Sequence, residues 1–428
     1  MTYSIPLGRK LDIDRAPIGF GSAHEIASQG SLMTDGSDAG LVTIAGTGTG
    51  KGVSQVIPTA LTYPGSMVIM DTKGEIAAVT ARARRQMGQK VVILDPFGGS
   101  SDALNPMEAI NPISPDAYDQ CKRIASMMRA GAVPNDPFWE DVSEMIIAGT
   151  ILFLATHIPR AERALPLLHR MWGVADHLEE MLTAMKSCDL HGGAMSAAAR
   201  AYTEAPDKTR SSILTTLRNQ VGFLASPSAQ GCLQGGWGLL KEIREGRPMT
   251  IYLRVPPHML SGHGRILRLW VATILTTVAE RSVRPAIPDL FLVDEAAALG
   301  RLDELLTAAS LLRGYGLRTW TFWQSIGQIE GIYDARAREI LDNAGTLSMF
   351  GASNAASARA LKSVTGYGGQ ILGMPRDEQI LCRQGHEPVR ASKLDYRTDS
   401  AYRGLFDPNP FHAHTSTRLA SLGVEVSA

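Results

Sequence analysis

The residues of this chain best suited to chemistry lie in a few short stretches. The first is Ala45-Gly-Thr-Gly-Thr-Gly-Lys-Gly, which sets Gly46, Thr47, Gly48, Thr49, Gly50, Lys51, Gly52 and Val53 directly after an apolar run. Glycines let successive backbone N–H groups turn inward around an anion. A lysine at the end of such a loop reaches the β- and γ-phosphates of a nucleotide, and a helix starting behind it adds a favourable dipole. Two positions depart from the G-x-x-x-x-G-K-[ST] pattern. Ala45 stands at its first glycine, and Gly52 stands where a hydroxyl normally ligates Mg²⁺. Mg²⁺ usually keeps several waters, so water can fill that position. Ser54 lies two residues further on and is a poorer substitute.

Phe291-Leu-Val-Asp-Glu ends an apolar run on two acids. In the chemistry of a phosphoanhydride, Asp294 would hold a Mg²⁺ ion, directly or through water, and Glu295 would polarise the attacking water. Alone the pattern is weak; with the glycine loop it becomes specific. Gln324 follows the next apolar run and is placed to sense a γ-phosphate, or else to be satisfied by backbone. Arg313 lies between the two runs, either as a cation offered to a neighbouring subunit or as a solvated helix-end charge. Asp71-Thr-Lys-Gly-Glu closes another apolar run; Asp71 and Glu75 fit either the surroundings of a metal or, for Asp71, a helix cap. His258 and His263 lack metal-ligand spacing, and no G-x-S-x-G elbow supports acyl transfer.

The elements that must carry these residues follow from periodicity. Leu41–Ala45, Ser66–Met70 and Val91–Leu94 read as strands alternating with helices, the first of them over Gly52–Tyr63 with a kink at Pro58. Thr250–Val255, Leu290–Val293, Leu317–Trp323, Thr346–Phe350 and Gln379–Cys382 read as further strands. Alternation of this kind predicts an α/β fold with a mainly parallel sheet. Between them, from Asp116 to Leu224, helical spacing dominates. The expected organisation is an N-terminal arm over 1–40 and a nucleotide-binding domain over 41–112 and 231–412. An all-α insertion occupies 113–230, and a tail follows over 413–428.

Composition limits the alternatives. The chain has 428 residues, 44% hydrophobic and 20% charged, which excludes a disordered chain. Lys+Arg and Asp+Glu both number 42, so a uniformly basic nucleic-acid coat is excluded, although a local basic channel is not. Four scattered cysteines form no zinc or disulfide pattern. The best apolar runs, Met145–Thr156 and Leu267–Ala279, fall short of the ~20 residues that span a bilayer.

Taken in order, these motifs resemble the cytosolic part of the TraG/TraD-type coupling proteins of bacterial conjugation and type IV secretion. The likeness is carried by Gly21-Ser-Ala-His, Thr49-Gly-Lys-Gly-Val-Ser, Val56-Ile-Pro-Thr and Ser66-Met-Val-Ile-Met-Asp-Thr-Lys-Gly-Glu. It continues in Leu94-Asp-Pro-Phe, Thr209-Arg-Ser-Ser-Ile-Leu, Val293-Asp-Glu-Ala-Ala-Ala-Leu-Gly-Arg-Leu, Trp323-Gln-Ser-Ile-Gly-Gln-Ile and Asn343-Ala-Gly-Thr. The resemblance implies a RecA-like P-loop NTPase with an inserted all-α domain, using ATP and Mg²⁺. Lys51 would be the phosphate lysine, Asp294 and Glu295 the Walker B pair, Gln324 the motif III glutamine and Arg313 an arginine finger. It further implies a homo-hexamer, or a monomer without an anchor, that moves DNA with little sequence preference. Relaxase or relaxosome and the components of a secretion channel would be its partners. Members usually begin with transmembrane helices that this sequence lacks. The expected place is therefore cytoplasmic, at the inner face of the bacterial inner membrane, through partners or an N-terminal anchor. Two rival readings are a nucleotide-switched receptor with little motor activity and another hexameric DNA translocase.

Overall fold

The computed structural model describes residues 3–11, 30–99, 101–129 and 137–411. Gly21-Ser-Ala-His and the tail at 413–428 lie outside the described residues. The chain divides into two compact units: one of residues 1–93, 247–254 and 282–428, the other of residues 94–246 and 255–281.

The first unit is built on an eleven-stranded sheet. Its strands are β1 (Ile5–Lys10), β2 (Leu32–Asp35), β3 (Gly40–Ile44), β4 (Met67–Met70), β5 (Lys90–Leu94), β6 (Met249–Leu253), β7 (Asp289–Val293), β8 (Leu317–Trp323), β9 (Ala344–Met349), β10 (Glu378–Arg383) and β11 (Val389–Ser392). In space they run β2-β1-β11-β10-β9-β3-β8-β7-β4-β6-β5. The pairs from β9 through β3, β8, β7 and β4 to β6 are parallel. The pairs joining β9, β10, β11, β1 and β2 are antiparallel. Strands β4, β7 and β8 are buried along their whole length, which is why they read as unbroken apolar runs.

Two helices cover the strands that matter for the site. A π-helical turn over Gly52–Val56 leads into α1 (Ile57–Thr62), and α2 (Glu75–Gln86) follows β4. Pro58, where a kink was expected, stands in the first turn of α1, directly after this π turn. Val56 and Ala60 of this stretch and Ile76 and Ala81 of α2 pack with Leu41, Ile69, Leu292, Trp320 and Phe322 in one core.

The expected arm over 1–40 contributes β1 and β2 to the sheet. β1 carries Pro6 and Gly8, which disguise it in the sequence. The helical unit is also larger than the expected 113–230. It takes in 94–112, 231–246 and 255–281. Its principal helices are α3 (Ala117–Ser126), α4 (Pro137–His157), α5 (Pro166–Gly173), α6 (Ala175–Lys186), α7 (Ala194–Thr203), α8 (Asp207–Val221), α9 (Pro227–Leu233), α10 (Leu239–Arg244) and α11 (Leu260–Ala279). In α4, Ile146–Leu152 is buried without a break, so the helix is covered on every side. The α4–α7 approach is close: a Cβ on Gly149 would lie 2.4 Å from the Ala198 Cβ. Helix α11 belongs here because Trp270 is buried against the 104 segment, its Nε1 donating to the Leu104 carbonyl at 3.3 Å. Among the described residues no helix is long and apolar enough to cross a membrane.

Candidate nucleotide site

The glycine loop leaves the C-terminal end of β3. Ala45 N–H still donates to the Trp323 carbonyl at 2.8 Å, which pins the loop's first residue to β8. Beyond it, Gly48 and Gly50 adopt φ of +74° and +89°, values that a side chain would strain. A Cβ on either would meet open space, so conformation and not crowding demands glycine there. Thr49 Oγ1 donates to the Gly46 carbonyl at 2.6 Å and closes the loop on itself. A buried polar chain secures it from below. Trp320 Nε1 donates to Thr43 Oγ1, Thr43 Oγ1 to Gln55 Oε1, Gln55 Nε2 to Gln379 Oε1 and Gln379 Nε2 to the Leu7 carbonyl. These bonds tie the helix behind the loop to β1, β3, β8 and β10.

Strand order brings the distant sequence signals to this loop. β8 lies between β3 and β7, so the tips of all three are neighbours at one edge of the sheet. Lys51 Nζ donates to the Asp294 carbonyl at 2.6 Å and to Glu295 Oε2 at 3.2 Å, and lies 3.6 Å from Asp294 Oδ1. Gln324 Nε2 donates to Glu295 Oε1 at 3.2 Å and Oε2 at 3.3 Å. Lys51, Asp294, Glu295 and Gln324 therefore form one cluster with Gly46–Val53. Gln324 is exposed, against the alternative of a buried glutamine satisfied by backbone.

Asp294 Oδ1 is buried and makes no hydrogen bond. Burial raises the Asp294 pKa; Lys51 opposes the rise and Glu295 adds to it. The cation that faces this oxygen is the Lys51 ammonium, 3.6 Å away. Among the described residues no group of three metal-ligating side chains occurs, so protein side chains alone do not form a full metal site here. A Cβ on Gly52 would meet open space, while the Ser54 hydroxyl is committed to the Gly50 carbonyl at 2.8 Å.

Asp71 sits one strand further along, fully buried at the tip of β4. It caps α2, with Gly74 N–H donating to Oδ1 at 2.9 Å and Ala77 N–H to Oδ2 at 2.8 Å. Burial pushes its pKa up to about 7, with the Asp294 charge adding to the rise. Glu75 turns elsewhere, accepting from Asn409 Nδ2 at 2.5 Å. Arg313 is not brought into this cluster. It lies in a 3₁₀ turn over Leu312–Tyr315 that precedes β8, at the opposite edge of the sheet. At ~3.3 Å per residue the seven-residue β8 puts it on the order of 20 Å from the acid pair. There Asp38 holds both Arg313 Nη2, at 2.5 Å, and Arg284 Nη2, at 2.7 Å.

One participant had no signal in the sequence. Lys393 reaches from the end of β11, and its Nζ donates to the Thr49 carbonyl at 3.0 Å and the Arg376 carbonyl at 2.9 Å. It also lies 3.9 Å from the Phe350 ring centroid. Burial lowers its pKa to about 8. A lysine in a polar stretch carries no spacing that would mark it.

A glycine loop on one strand, an acid pair on another and a polar tip on the strand between them are the arrangement of the RecA-like P-loop NTPase fold, and this fold is of that class. The particular family follows from the sequence. Residues 17–369 match the family described as type IV secretory system conjugative DNA transfer, and the chain belongs to it. Protein VirD4 of Agrobacterium fabrum is 24% identical over 423 residues, covering 88% of this chain and 62% of that protein. Conjugal transfer protein TraG of the same organism is 24% identical, covering 88% and 63%. The chain thus spans less than two thirds of the length of these relatives. The solved bacterial conjugative coupling protein TrwBdeltaN70, unbound, shares the fold with a TM-score of 0.68 at 17% identity, over 87% of this chain and 89% of that one. Plasmid coupling protein TrwB in complex with ADP and Mg²⁺ gives 0.68 at 17% identity, over 86% and 88%.

Proposed function

We propose that this chain is the ATP-hydrolysing portion of a coupling protein. It recruits DNA, or a DNA–relaxase complex, and drives it to a type IV secretion channel during conjugation, at the inner face of the bacterial inner membrane. The observation that carries the reading is the cluster of Lys51, Glu295 and Gln324 around the carbonyl and buried carboxylate of Asp294. In it, the loop N–H groups and Lys51 bind the phosphates, and Lys51 gives up its present acidic partners to do so. Glu295 orients the attacking water and accepts its proton. Gln324, bonded to Glu295, reports the state of the γ-phosphate to β8. Asp294 would hold Mg²⁺, with water where a P-loop hydroxyl is missing. When bound, the ion neutralises charge on the β- and γ-oxygens.

Arg313 is too far from its own site to act there. The reading therefore places it at the site of the next subunit in a homo-hexameric ring, with DNA gripped through its phosphates by loops lining the bore. Lys51→Ala should abolish ATP turnover while the melting temperature stays within a few degrees. Near-normal turnover in that variant would remove the site assignment. A second reading, a nucleotide-switched receptor, is favoured by the side-chain-free position at Gly52. It expects ATP binding without DNA-stimulated turnover.

A further inference from the structure

At the edge of the sheet opposite the glycine loop, buried polar groups strap down the turn between β2 and β3. Asp35 accepts from Ser37 N–H at 2.8 Å and from Thr346 Oγ1, and Ser37 Oγ accepts from Ala39 N–H at 3.4 Å. Arg318, buried near the start of β8, pairs with Asp35 at 3.0 Å and donates through Nε to the Ala39 carbonyl at 2.5 Å. The backbone on both sides of Asp38 is thus tied to β8 and β9. From this fixed turn Asp38 gives one oxygen to each of two guanidiniums. Oδ2 accepts from Arg284 Nη2 at 2.7 Å, and Oδ1 lies 2.5 Å from Arg313 Nη2. Packing keeps Arg284 beside the turn that carries Arg313. Gly316, at φ +78°, closes that turn, and a Cβ on it would lie 2.5 Å from Pro285 Cδ and 2.9 Å from Arg284 Cγ.

Two features suit Arg313 to an anion from another chain. Asp38 engages it through one nitrogen while its side chain stays 56% exposed, so the other donors of the guanidinium fork remain available. The single charge of Asp38 is also divided between two cations and does not cancel that of Arg313. Of the neighbouring acids, Asp35 is engaged by Arg318, and Asp289 is buried at the start of β7. A long side chain loses rotamer freedom when it docks, and a contact that fixes it beforehand lowers that cost. We propose that Asp38 is a positioning residue for Arg313: it sets the guanidinium, within its own chain, in the pose that meets the nucleotide of the next subunit. The proposal rests on the shared-site reading above.

The test mixes two inactive parents: Arg313→Ala chains, which keep the loop, and Lys51→Ala chains, which keep the finger. Asp38→Asn is then placed in one parent at a time. In the Lys51→Ala parent it frees the working finger from its holder. The kcat of the mixture for ATP should fall about fivefold or more, with KM unchanged. In the Arg313→Ala parent there is no finger to hold, and turnover should stay at the level of the unmodified mixture. Asp38→Glu keeps the carboxylate and should restore part of the loss in the Lys51→Ala parent. A fault in folding or assembly shows in both parents alike, so equal losses overturn the proposal, as does no loss from the Lys51→Ala parent. If the unmodified parents regain no turnover when mixed, the shared-site reading fails, and the positioning role with it.

Discussion

Asp71 shows how a single buried carboxyl can serve structure beside a reactive cluster. Its two oxygens cap α2, yet burial pushes its pKa up to about 7. An unfolded aspartate titrates near ~3.9. Between about pH 4 and about pH 7 the folded chain therefore holds a proton that the unfolded chain has lost. Stability from this group falls as pH rises through that window. Asp71→Asn removes the titration. Measured without nucleotide, its melting temperature should gain on the wild type as pH goes from about 5 to about 8. Parallel melting curves across that range would contradict the assignment. At this scale much of the site was legible: Lys51, Asp294, Glu295 and Gln324 all end apolar runs or follow glycines, and they meet in space. Arg313 was legible only as a cation between strands. That it is held by Asp38 at the far edge depends on pairing with a loop some 275 residues earlier, which no local pattern encodes.

At the scale of elements, the parallel strands were readable because burial on both faces leaves continuous apolar runs. Of the antiparallel strands only β10 was read; β1, β2 and β11 were not. β11 is Val-Arg-Ala-Ser, half polar, and the sequence reads as loop there. β1 contains both a proline and a glycine. The helical character of the insertion was legible from spacing, but membership of α11 was not. A helix buried on most sides gives no sign of which core receives it. The α4–α7 contact shows packing at its tightest. Gly149→Ala puts a methyl 2.4 Å from the Ala198 Cβ, and overpacking of this kind costs about 1–3 kcal/mol. Calorimetric melting should show the loss, and Ala198→Gly in the same chain should recover most of it. No recovery would mean that the two helices do not meet there in solution.

For the whole molecule, the proposed activity requires more than one chain, because Arg313 and the acid cluster lie at opposite edges of the sheet. ATP turnover should rise more steeply than linearly with protein concentration and increase with single-stranded DNA. An Arg313→Ala chain should be inactive alone, since fingers of this kind contribute roughly 10³–10⁵ in rate. Mixed with Lys51→Ala chains it should regain turnover at interfaces where an intact finger meets an intact loop. Strictly linear rates, or mixtures as inactive as their parents, would contradict shared sites. The sheet order has a consequence for how such a chain is made. β3, which carries the phosphate loop, pairs with β8 and β9, whose residues come some 280–300 positions later. At ribosomal speeds of ~5–20 residues per second, β3 waits on the order of 15–60 s for either neighbour. Nascent chains released before residue 317 should leave that strand open to protease and to chaperones, while the helical insertion, already synthesised, can be protected. The glycine loop after β3 is thus translated long before the strands that give it its shape.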